Sequence, residues 1–159
     1  MLENFFKPPD PLAFTERMVE HSFSVPNIST AELETLIAQK APIVLFDVRQ
    51  QEEYDTSHIQ GAIHLDPRIS KDDFIAAHKK KCQEKHLVFY CSVGHRSSEM
   101  IAKLDECRKQ TEASACSNLK GGIFRWYNEG RPVVTGNGVT DAIHEYNALW
   151  AMMIKKRKP

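Results

Sequence analysis

The chain has no excess of charge of either sign, because 21 lysines and arginines balance 21 aspartates and glutamates. Such a balance gives no overall attraction to nucleic acid or to an anionic membrane surface, so neither is expected as a partner. The sequence also lacks an apolar stretch long enough to span a bilayer. Its first eleven residues contain Lys7 and three prolines but no apolar segment, unlike a secretory signal. We therefore expect a cytoplasmic protein in which any attraction for anions is local.

Cysteine is scarce, and its four positions show none of the paired spacings that hold metals. A chain of 159 residues can bury a core without the help of disulfides. We interpret all four cysteines as thiols: Cys82, Cys91, Cys107 and Cys116. Only Cys91 is expected to be reactive, and Cys107 is the best candidate for an exposed resolving thiol if the protein has one.

Cys91 follows an apolar, strand-forming run at residues 87–90, and small, polar or basic residues come next, before a helical pattern begins near Ser97. This predicts a strand, a tight loop and a helix, the place where open α/β folds bind ligands. The N–H groups of residues 92–97 can surround the sulfur, and the helix directs its positive dipole end at the same point. His95 and Arg96 add hydrogen-bonding or positive character. We therefore expect a lowered pKa for Cys91 and a nucleophile that is ionised near neutral pH.

Strands and helices alternate along the chain. Ile43-Val44-Leu45-Phe46 is a continuous apolar run typical of a central parallel strand, and Ser29 to Glu32 has the form of a capping box that begins a helix through about Gln39. The other predicted elements are a helix over 11–21, a helical turn at 52–54, a short strand at 62–65, a helix over 71–81, a helix over 97–110, a strand at 113–119 and a helix at 123–127. This rhythm predicts an α/β fold with a doubly wound, mostly parallel sheet that is covered by helices on both faces.

Three separated motifs carry a family resemblance: Asp47-Val48-Arg49 with Glu53-Tyr54 and His58-Ile59-Gln60-Gly61-Ala62; Cys91-Ser92-Val93-Gly94-His95-Arg96-Ser97; and Leu119-Lys120-Gly121-Gly122 with Trp126, Gly130, Pro132 and Val133. In this order and spacing they resemble the single-domain type of the rhodanese (sulfurtransferase) family, over roughly residues 29–134. The resemblance implies a five-stranded sheet and a Cys91 that carries sulfane sulfur as a persulfide, with no metal or organic cofactor. Family members commonly have glycine where Ser57 stands, so Ser57 has either an ordinary φ or a less comfortable one.

The loop residues form the candidate substrate-binding set: Ser92, Val93, Gly94, His95, Arg96 and Ser97. Arg96 is expected to orient an anionic donor, because positive charge at a helix N-terminus is unfavourable unless an anion offsets it. His95 either touches the substrate or donates a proton, or it is a solvent-facing loop residue, and the sequence leaves these alternatives open.

Structural support is expected from three residues of the first motif. Asp47 and Arg49 are interpreted as a structural ion pair, to which Glu52 or Glu53 could add a further partner, and His58 as a scaffold residue. His58 and His64 have no third ligand pattern nearby, so hydrogen-bonded histidines are favoured over a metal pair.

The function implied is the transfer of sulfane sulfur from thiosulfate or a small persulfide, through a Cys91 persulfide, to cyanide, a thiol or a sulfur-acceptor protein. One alternative is a cysteine-based phosphatase or arsenate reductase. Such loops resemble Cys-x5-Arg, whereas the arginine here stands one position earlier, at 96, which makes a smaller ring. The other alternative is a non-catalytic binding module of the same fold.

The segments outside the resemblance are predicted to be separate units: an N-terminal extension over 1–28 and a C-terminal helix with a basic tail over 136–159, flanking a domain over 29–135. Gly136-Asn137-Gly138 has the composition of a linker, and apolar residues of 141–154 recur on one helical face. We expect this helix to pack against the domain helices and the N-terminal phenylalanines, within one chain or across a homodimer. The basic residues 155–158 are interpreted as a solvated helix cap, in preference to a nucleic-acid patch or an address signal.

Overall fold

The computed structural model describes residues 9–157, apart from the side chain of Cys107. The predicted extension before residue 9 and the last two residues lie outside this description. In chain order the elements are α1 (Pro11–Ser22), β1 (Asn27–Ile28), α2 (Thr30–Ala38), β2 (Ile43–Asp47), α3 (Gln51–Thr56), β3 (Ile63–His64), α4 (Lys71–Cys82), β4 (His86–Tyr90), α5 (His95–Leu104), α6 (Cys107–Thr111), β5 (Ala115–Leu119), α7 (Gly122–Asn128), β6 (Val133–Thr135), β7 (Gly138–Thr140) and α8 (Ala148–Ala151). Within residues 9–157, the helices are all too short or too polar to cross a membrane.

Five strands of the described chain form one parallel sheet in the order β1-β5-β4-β2-β3. From β2 the chain continues to β3 on one side, and from β4 it continues to β5 on the other side. The two central strands therefore meet at the point where the direction of winding reverses, with Phe46 beside Phe89 and Asp47 beside Tyr90. This arrangement confirms the predicted doubly wound α/β fold. Ligands of such sheets bind in the crevice beyond the carboxyl ends of the strands at this point.

The central strands are apolar on both faces because helices cover both. Leu45 and Val88 point into a core layer that also holds side chains of α1, α2 and α7. The next residues along each strand, Phe46 and Phe89, point into the opposite layer with side chains of α4 and α5. Adjacent residues of a strand point to opposite faces, so each run of apolar residues supplies both layers.

The N-terminal end of the described chain contributes to both a helix and the sheet. Asp10 caps the N-terminus of α1, since its carboxylate accepts from the N–H of Leu12 at 3.0 Å, and the predicted helix over 11–21 is present. β1 lies inside the predicted extension, yet it pairs with β5 and forms an edge of the sheet. Two residues are too few to show a periodic pattern, so this strand could not be predicted from the sequence.

The helix predicted over 97–110 is two helices, α5 and α6. α5 starts at His95, two residues earlier than expected, because Gly94 stands before it with φ +103°, a backbone conformation that suits glycine. The first helix ends at Leu104, and the five-residue α6 follows at Cys107.

The predicted linker Gly136-Asn137-Gly138 is the turn region of a hairpin. β6 and β7 pair antiparallel, with Thr135 opposite Gly138, so two residues connect the strands. His58 extends this small sheet through a backbone bridge to Val134. The composition predicted a linker and did not indicate the hairpin, because the strands on each side are too short for a period of two to be seen.

The predicted helix over 141–154 is wrong for most of its length, since only α8 is helical. α8 begins after Asn147, whose side chain accepts from the N–H of Trp150 at 2.9 Å. Tyr146 has φ +67°, which is incompatible with a helix. The hydroxyl of Tyr127 donates to the carbonyl of Asp141 at 2.7 Å, so this backbone bonds to α7 instead of to its own neighbours.

The tail nevertheless packs on the domain. Several apolar residues of the predicted face lie against the first core layer: Ile143, Trp150, Met153 and Ile154. Residues 155–157 are not a helix cap, because the helix ends at Ala151, and Lys158 lies outside the described residues. Arg157 lies 4.0 Å from the centre of the Tyr127 ring and donates to the carbonyls of Tyr127 and Arg131. Whether a second copy of the chain also contacts this tail stays a prediction.

Candidate active site

Cys91 follows β4 directly, at the crevice between the two central strands, and the predicted strand, loop and helix are present there. Its sulfur accepts a hydrogen bond from the N–H of Gly94 at 3.1 Å, and the hydroxyl of Ser97 lies 3.4 Å away. The side chain is fully buried. Val93 is buried in the core, so it contributes backbone and packing to this loop. The geometry can support a thiolate, because an N–H group and a helix N-terminus both point at the sulfur.

The start of α7 supports the loop from behind. Ile123 and Phe124 donate backbone hydrogen bonds to the carbonyls of Cys91 and Ser92, at 2.9 and 3.0 Å. Gly122, with φ +57°, lies so close that a Cβ there would come within 2.4 Å of the Cys91 carbonyl oxygen. The second glycine of the third motif is therefore needed for a close backbone approach to the cysteine loop.

Arg96 turns toward α3 and forms a two-pronged ion pair with Glu53. Its terminal nitrogens donate to the two carboxylate oxygens at 2.7 and 2.9 Å, and one of them also donates to the Ser92 hydroxyl at 2.9 Å. The Ser92 hydroxyl in turn donates to Glu53 at 3.2 Å. The sequence suggested Glu53 only as a partner of Asp47 and Arg49. The anion that offsets the positive charge at this helix start is a side chain of the protein.

The Glu53 and Arg96 charges stabilise each other. Burial raises the pKa of Glu53, but the hydrogen bonds and charge of Arg96 outweigh it and hold the pKa below its usual value. Burial lowers the pKa of Arg96, but the Glu53 hydrogen bonds and the charge of a Cys91 thiolate raise it above its usual value.

Ser97 belongs to a chain of polar side chains that ends at the sheet edge. Its hydroxyl donates to the side-chain oxygen Oδ1 of Asn118 at 2.6 Å, and the side-chain nitrogen Nδ2 of Asn118 donates to Oδ1 of Asn27 in β1 at 2.8 Å. Asn118 was missed, although it immediately precedes the third motif. The shorter of the two Ser97 contacts is to Asn118, so Ser97 is oriented by β5 and not by the sulfur alone.

His95 faces outward from the loop. Its side chain is half exposed, its ring meets Phe23 edge-on with centroids 5.1 Å apart, and Nδ1 lies 3.7 Å from Glu99. Its role toward a substrate stays a prediction.

Asp47 and Arg49 form the predicted ion pair, and both side chains are completely buried. Nε and one terminal nitrogen of Arg49 bond to the carboxylate, and the same terminal nitrogen donates to the carbonyl of Ser57 at 2.7 Å. Ser57 has φ −172°, which is extended backbone, so the missing glycine leaves no strain there. This group ties the end of β2 to the end of α3.

His58 supports the same region. Its ring stacks on Tyr54 with centroids 3.9 Å apart, and Nδ1 lies 3.0 Å from the Tyr54 carbonyl oxygen. His64 Nε2 lies 2.6 Å from the carbonyl oxygen of Arg49. In the described part of the chain, no three side chains of the metal-binding types come together as a site.

The C-terminal tail reaches this site, which the sequence did not indicate. The guanidinium carbon of Arg96 lies 4.7 Å from the ring centre of Tyr146 and 5.6 Å from that of Trp150. Both distances are within the range of cation–π attraction.

The other described thiols have different surroundings. Burial raises the pKa of Cys82 to about 11 and that of Cys116 to about 12. Both are free thiols. The prediction that Cys107 is an exposed resolving thiol concerns a side chain that the structure does not describe.

A buried cysteine whose sulfur accepts a hydrogen bond from the Gly94 N–H, at the switch point of a doubly wound parallel sheet, defines a class of α/β protein with a thiol at its ligand crevice. Residues 29–129 match the family described as "Rhodanese-like domain". The chain belongs to this family, as its motifs indicated.

Curated relatives agree with this assignment. YtwF of Bacillus subtilis, which carries the name of a sulfurtransferase, is 32% identical over 108 residues that cover 68% of this chain and 96% of YtwF. MoeZ of Mycobacterium tuberculosis, named as an adenylyltransferase/sulfurtransferase, is 33% identical over 107 residues, which are 66% of this chain and only 25% of MoeZ. The human thiosulfate:glutathione sulfurtransferase is 32% identical over 82 residues, or 45% of this chain and 70% of that protein.

Solved structures share the fold. The BH2092 protein of Bacillus halodurans superposes with a TM-score of 0.56 at 26% identity, covering 79% of this chain and 86% of that one. The thiosulfate sulfurtransferase of Pseudomonas aeruginosa gives a TM-score of 0.60 at 21% identity, covering 88% of this chain and 26% of that one. The family and the named relatives support sulfurtransferase activity in general.

Proposed function

We propose that this protein transfers sulfane sulfur from thiosulfate or a small persulfide to a thiophilic acceptor through a persulfide on Cys91. The observation that carries the proposal is the Cys91 sulfur, held at the end of β4 by the Gly94 N–H at 3.1 Å and adjacent to the start of α5. The family match supplies the kind of chemistry.

The reaction has two displacements that balance without a redox cofactor. The Cys91 thiolate attacks the outer sulfur of thiosulfate, an S–S bond forms at Cys91, and the S–S bond of the donor breaks with sulfite as the leaving group. In the second step, cyanide or an acceptor thiolate attacks the outer sulfur of the Cys91 persulfide. Thiocyanate or a new persulfide leaves, and the Cys91 thiolate is restored. The Gly94 N–H, which donates to the Cys91 sulfur at 3.1 Å, favours the anionic form of this sulfur.

The acceptor class is proposed from the relatives. The name of the human relative specifies thiosulfate and glutathione, and MoeZ combines its sulfurtransferase name with an adenylyltransferase name in a longer chain. We propose that thiols, small or on a partner protein, accept sulfur from Cys91, with cyanide as the assay substitute.

The test is to incubate the full chain with thiosulfate and either cyanide or glutathione, and to measure thiocyanate or sulfite release. Cys91→Ser is expected to lower the rate by at least ~10³-fold, because a hydroxyl is a far poorer nucleophile here. Cys116→Ser is the matched control and should retain the parent rate. Mass spectrometry after exposure to thiosulfate should find one added sulfur on Cys91 only. An unchanged rate in the Cys91→Ser variant would overturn the proposal.

The same assay separates the alternatives. A phosphatase would hydrolyse a phosphate ester in parallel reactions. The structure does not favour this activity, because the terminal nitrogens of Arg96 donate to Glu53 and Ser92 and are not directed at a phosphate site. A binding module would bind thiosulfate or a thiol without releasing any product. Phosphate-ester hydrolysis without sulfur transfer, or binding without product release, would overturn the proposed function in favour of the corresponding alternative.

A further inference from the structure

The C-terminal tail, residues 141–157, is hydrogen-bonded to α7 before and after the residues that lie over the cysteine loop. On the near side, the Tyr127 hydroxyl donates to the Asp141 carbonyl at 2.7 Å. On the far side, the Asn128 amide donates to the Met153 carbonyl at 2.7 Å, and its oxygen accepts from the N–H two residues further along at 2.8 Å. These bonds hold the intervening residues over the start of α5.

Two aromatic rings of the intervening residues cover Arg96. Tyr146 and Trp150 lie with ring centroids 4.4 Å apart, and both are within 5.6 Å of the guanidinium carbon. Trp150 meets Phe124 of α7 edge-on, at 6.4 Å between centroids. Tyr146 has φ +67°, a conformation that an aromatic residue keeps only when its surroundings hold it. We call these two rings the aromatic clamp.

The clamp and Glu53 approach the same guanidinium. Glu53 takes both terminal nitrogens in the plane of the group, while the rings of the clamp interact with its positive charge. The arginine side chain is only 17% exposed, and one of its terminal nitrogens donates to the hydroxyl of Ser92, the residue that follows Cys91, at 2.9 Å. Its position therefore sets the local charge that an approaching anion meets.

We propose that Tyr146 and Trp150 are positioning residues that act through Arg96, holding its charge at the mouth of the Cys91 loop. Without the clamp the guanidinium moves toward solvent, and the Glu53 carboxylate beside the loop is less fully compensated. An anionic reagent or donor is then disfavoured relative to a neutral one. The effect on a sulfur donor rests on the proposed sulfur transfer. The effect on alkylation of Cys91 by an anionic reagent does not depend on that proposal.

The test is the ratio of Cys91 alkylation rates with iodoacetate, which is anionic, and iodoacetamide, which is neutral. In Tyr146→Leu, Trp150→Leu and the double variant, we expect the ratio to fall by about two-fold to ten-fold, as a cation–π contact of ordinary strength implies. Leu149→Ala is the matched control, because Leu149 is 68% exposed and adjacent to Trp150; its ratio should not change. Melting curves establish that each variant is folded.

A charge-free background shows whether the clamp acts through Arg96. In a chain carrying both Glu53→Gln and Arg96→Gln, the clamp substitutions should leave the ratio unchanged. Equal changes for both reagents would mean that the rings merely cover the site, and would overturn the proposal. A ratio that falls equally in the charge-free background would overturn it as well. Failure of sulfur transfer with a clamp-dependent alkylation ratio would sink the proposed function alone.

Discussion

At the scale of residues, the sulfur of Cys91 differs from the other described thiols in its neighbours. Gly94 donates a backbone hydrogen bond to it, whereas burial, complete for Cys82 and partial for Cys116, raises the pKa values of these two thiols. If solvent exposure alone set the rate of alkylation, Cys116 would react first, because it is only partly buried. Ionisation decides the rate of alkylation, since the thiolate is the nucleophile.

We therefore predict that iodoacetamide near neutral pH labels Cys91 before Cys82 and Cys116. Peptide mapping at short times measures the order. The control is the same experiment in the denatured chain, where the thiols should react at similar rates. Labelling of Cys116 first in the folded chain would show that accessibility outweighs ionisation.

The ion pair between Glu53 and Arg96 predicts a pH dependence of stability. Burial raises the pKa of Glu53, but the effect of Arg96 is larger and the net shift is downward. The Glu53 carboxylate therefore stabilises the fold at pH values above its ordinary pKa of 4.5. This contribution is lost as the pH falls through the lowered value in the folded state.

Glu53→Gln removes the charge and keeps the shape of the side chain. We expect the variant to be less stable at pH 7 by about 1–3 kcal/mol, the range for hydrogen bonds to charged groups. The difference should shrink below about pH 4.5 because the parent then loses its advantage. Urea unfolding of both chains across this range measures it, and a difference that does not depend on pH would contradict the assignment.

At the scale of elements, α7 and the β4–α5 loop approach each other at Gly122. A methyl group there would lie 2.4 to 2.6 Å from backbone atoms of Cys91 and Ser92, which cannot give way as a flexible side chain does. The position of the loop therefore depends on the absence of a side chain on the neighbouring helix.

Gly122→Ala should accordingly destabilise the fold and impair the site. Gly130→Ala is the matched control, since Gly130 also has a positive φ, of +82°, but nothing lies within 4 Å of an added Cβ. The unfolding free energy of the control should fall by about 1–2 kcal/mol from backbone strain alone. That of Gly122→Ala should fall by more, and its Cys91 should be alkylated more slowly. Equal losses in the two variants would mean that the close approach does not matter.

At the scale of the whole molecule, the two ends of the described chain meet beside the domain. The Thr15 hydroxyl of α1 lies 3.5 Å from the Met153 sulfur, and Glu16 pairs with Arg125 of α7 at 2.7 Å. The tail thus contacts a helix from the other end of the described chain, and we expect part of the fold's stability to depend on it.

Deleting residues 141–159 should lower the unfolding free energy by about 2–4 kcal/mol, from the partial exposure of several large apolar side chains. For a chain of this size that is a fall of roughly 5–15 °C in melting temperature. Cys91 should still be alkylated by iodoacetamide. The matched control is Leu149→Ala, which alters the tail at an exposed position. A truncated chain as stable and as soluble as the parent would show that the tail is not part of the fold.

The sequence by itself determined the features that depend on neighbouring residues. The apolar runs of β2 and β4 predict central parallel strands, because a strand covered on both faces needs apolar residues at every position. The capping box at Ser29 and Glu32 is present as predicted, since it joins groups three residues apart. The Cys91 loop could be predicted because its motif lies within seven consecutive residues.

Only the tertiary structure decided the contacts between distant segments. Glu53 and Arg96 are 43 residues apart, and neither residue alone indicates the other. The pattern of the tail predicts a helix, but hydrogen bonds to Tyr127 and Asn128 compete with the bonds of a helix and hold most of it in another conformation. Periodicity records which residues are apolar, and not which surface will bury them. The partner of Arg96, and the aromatic rings above it, are therefore properties of the folded chain.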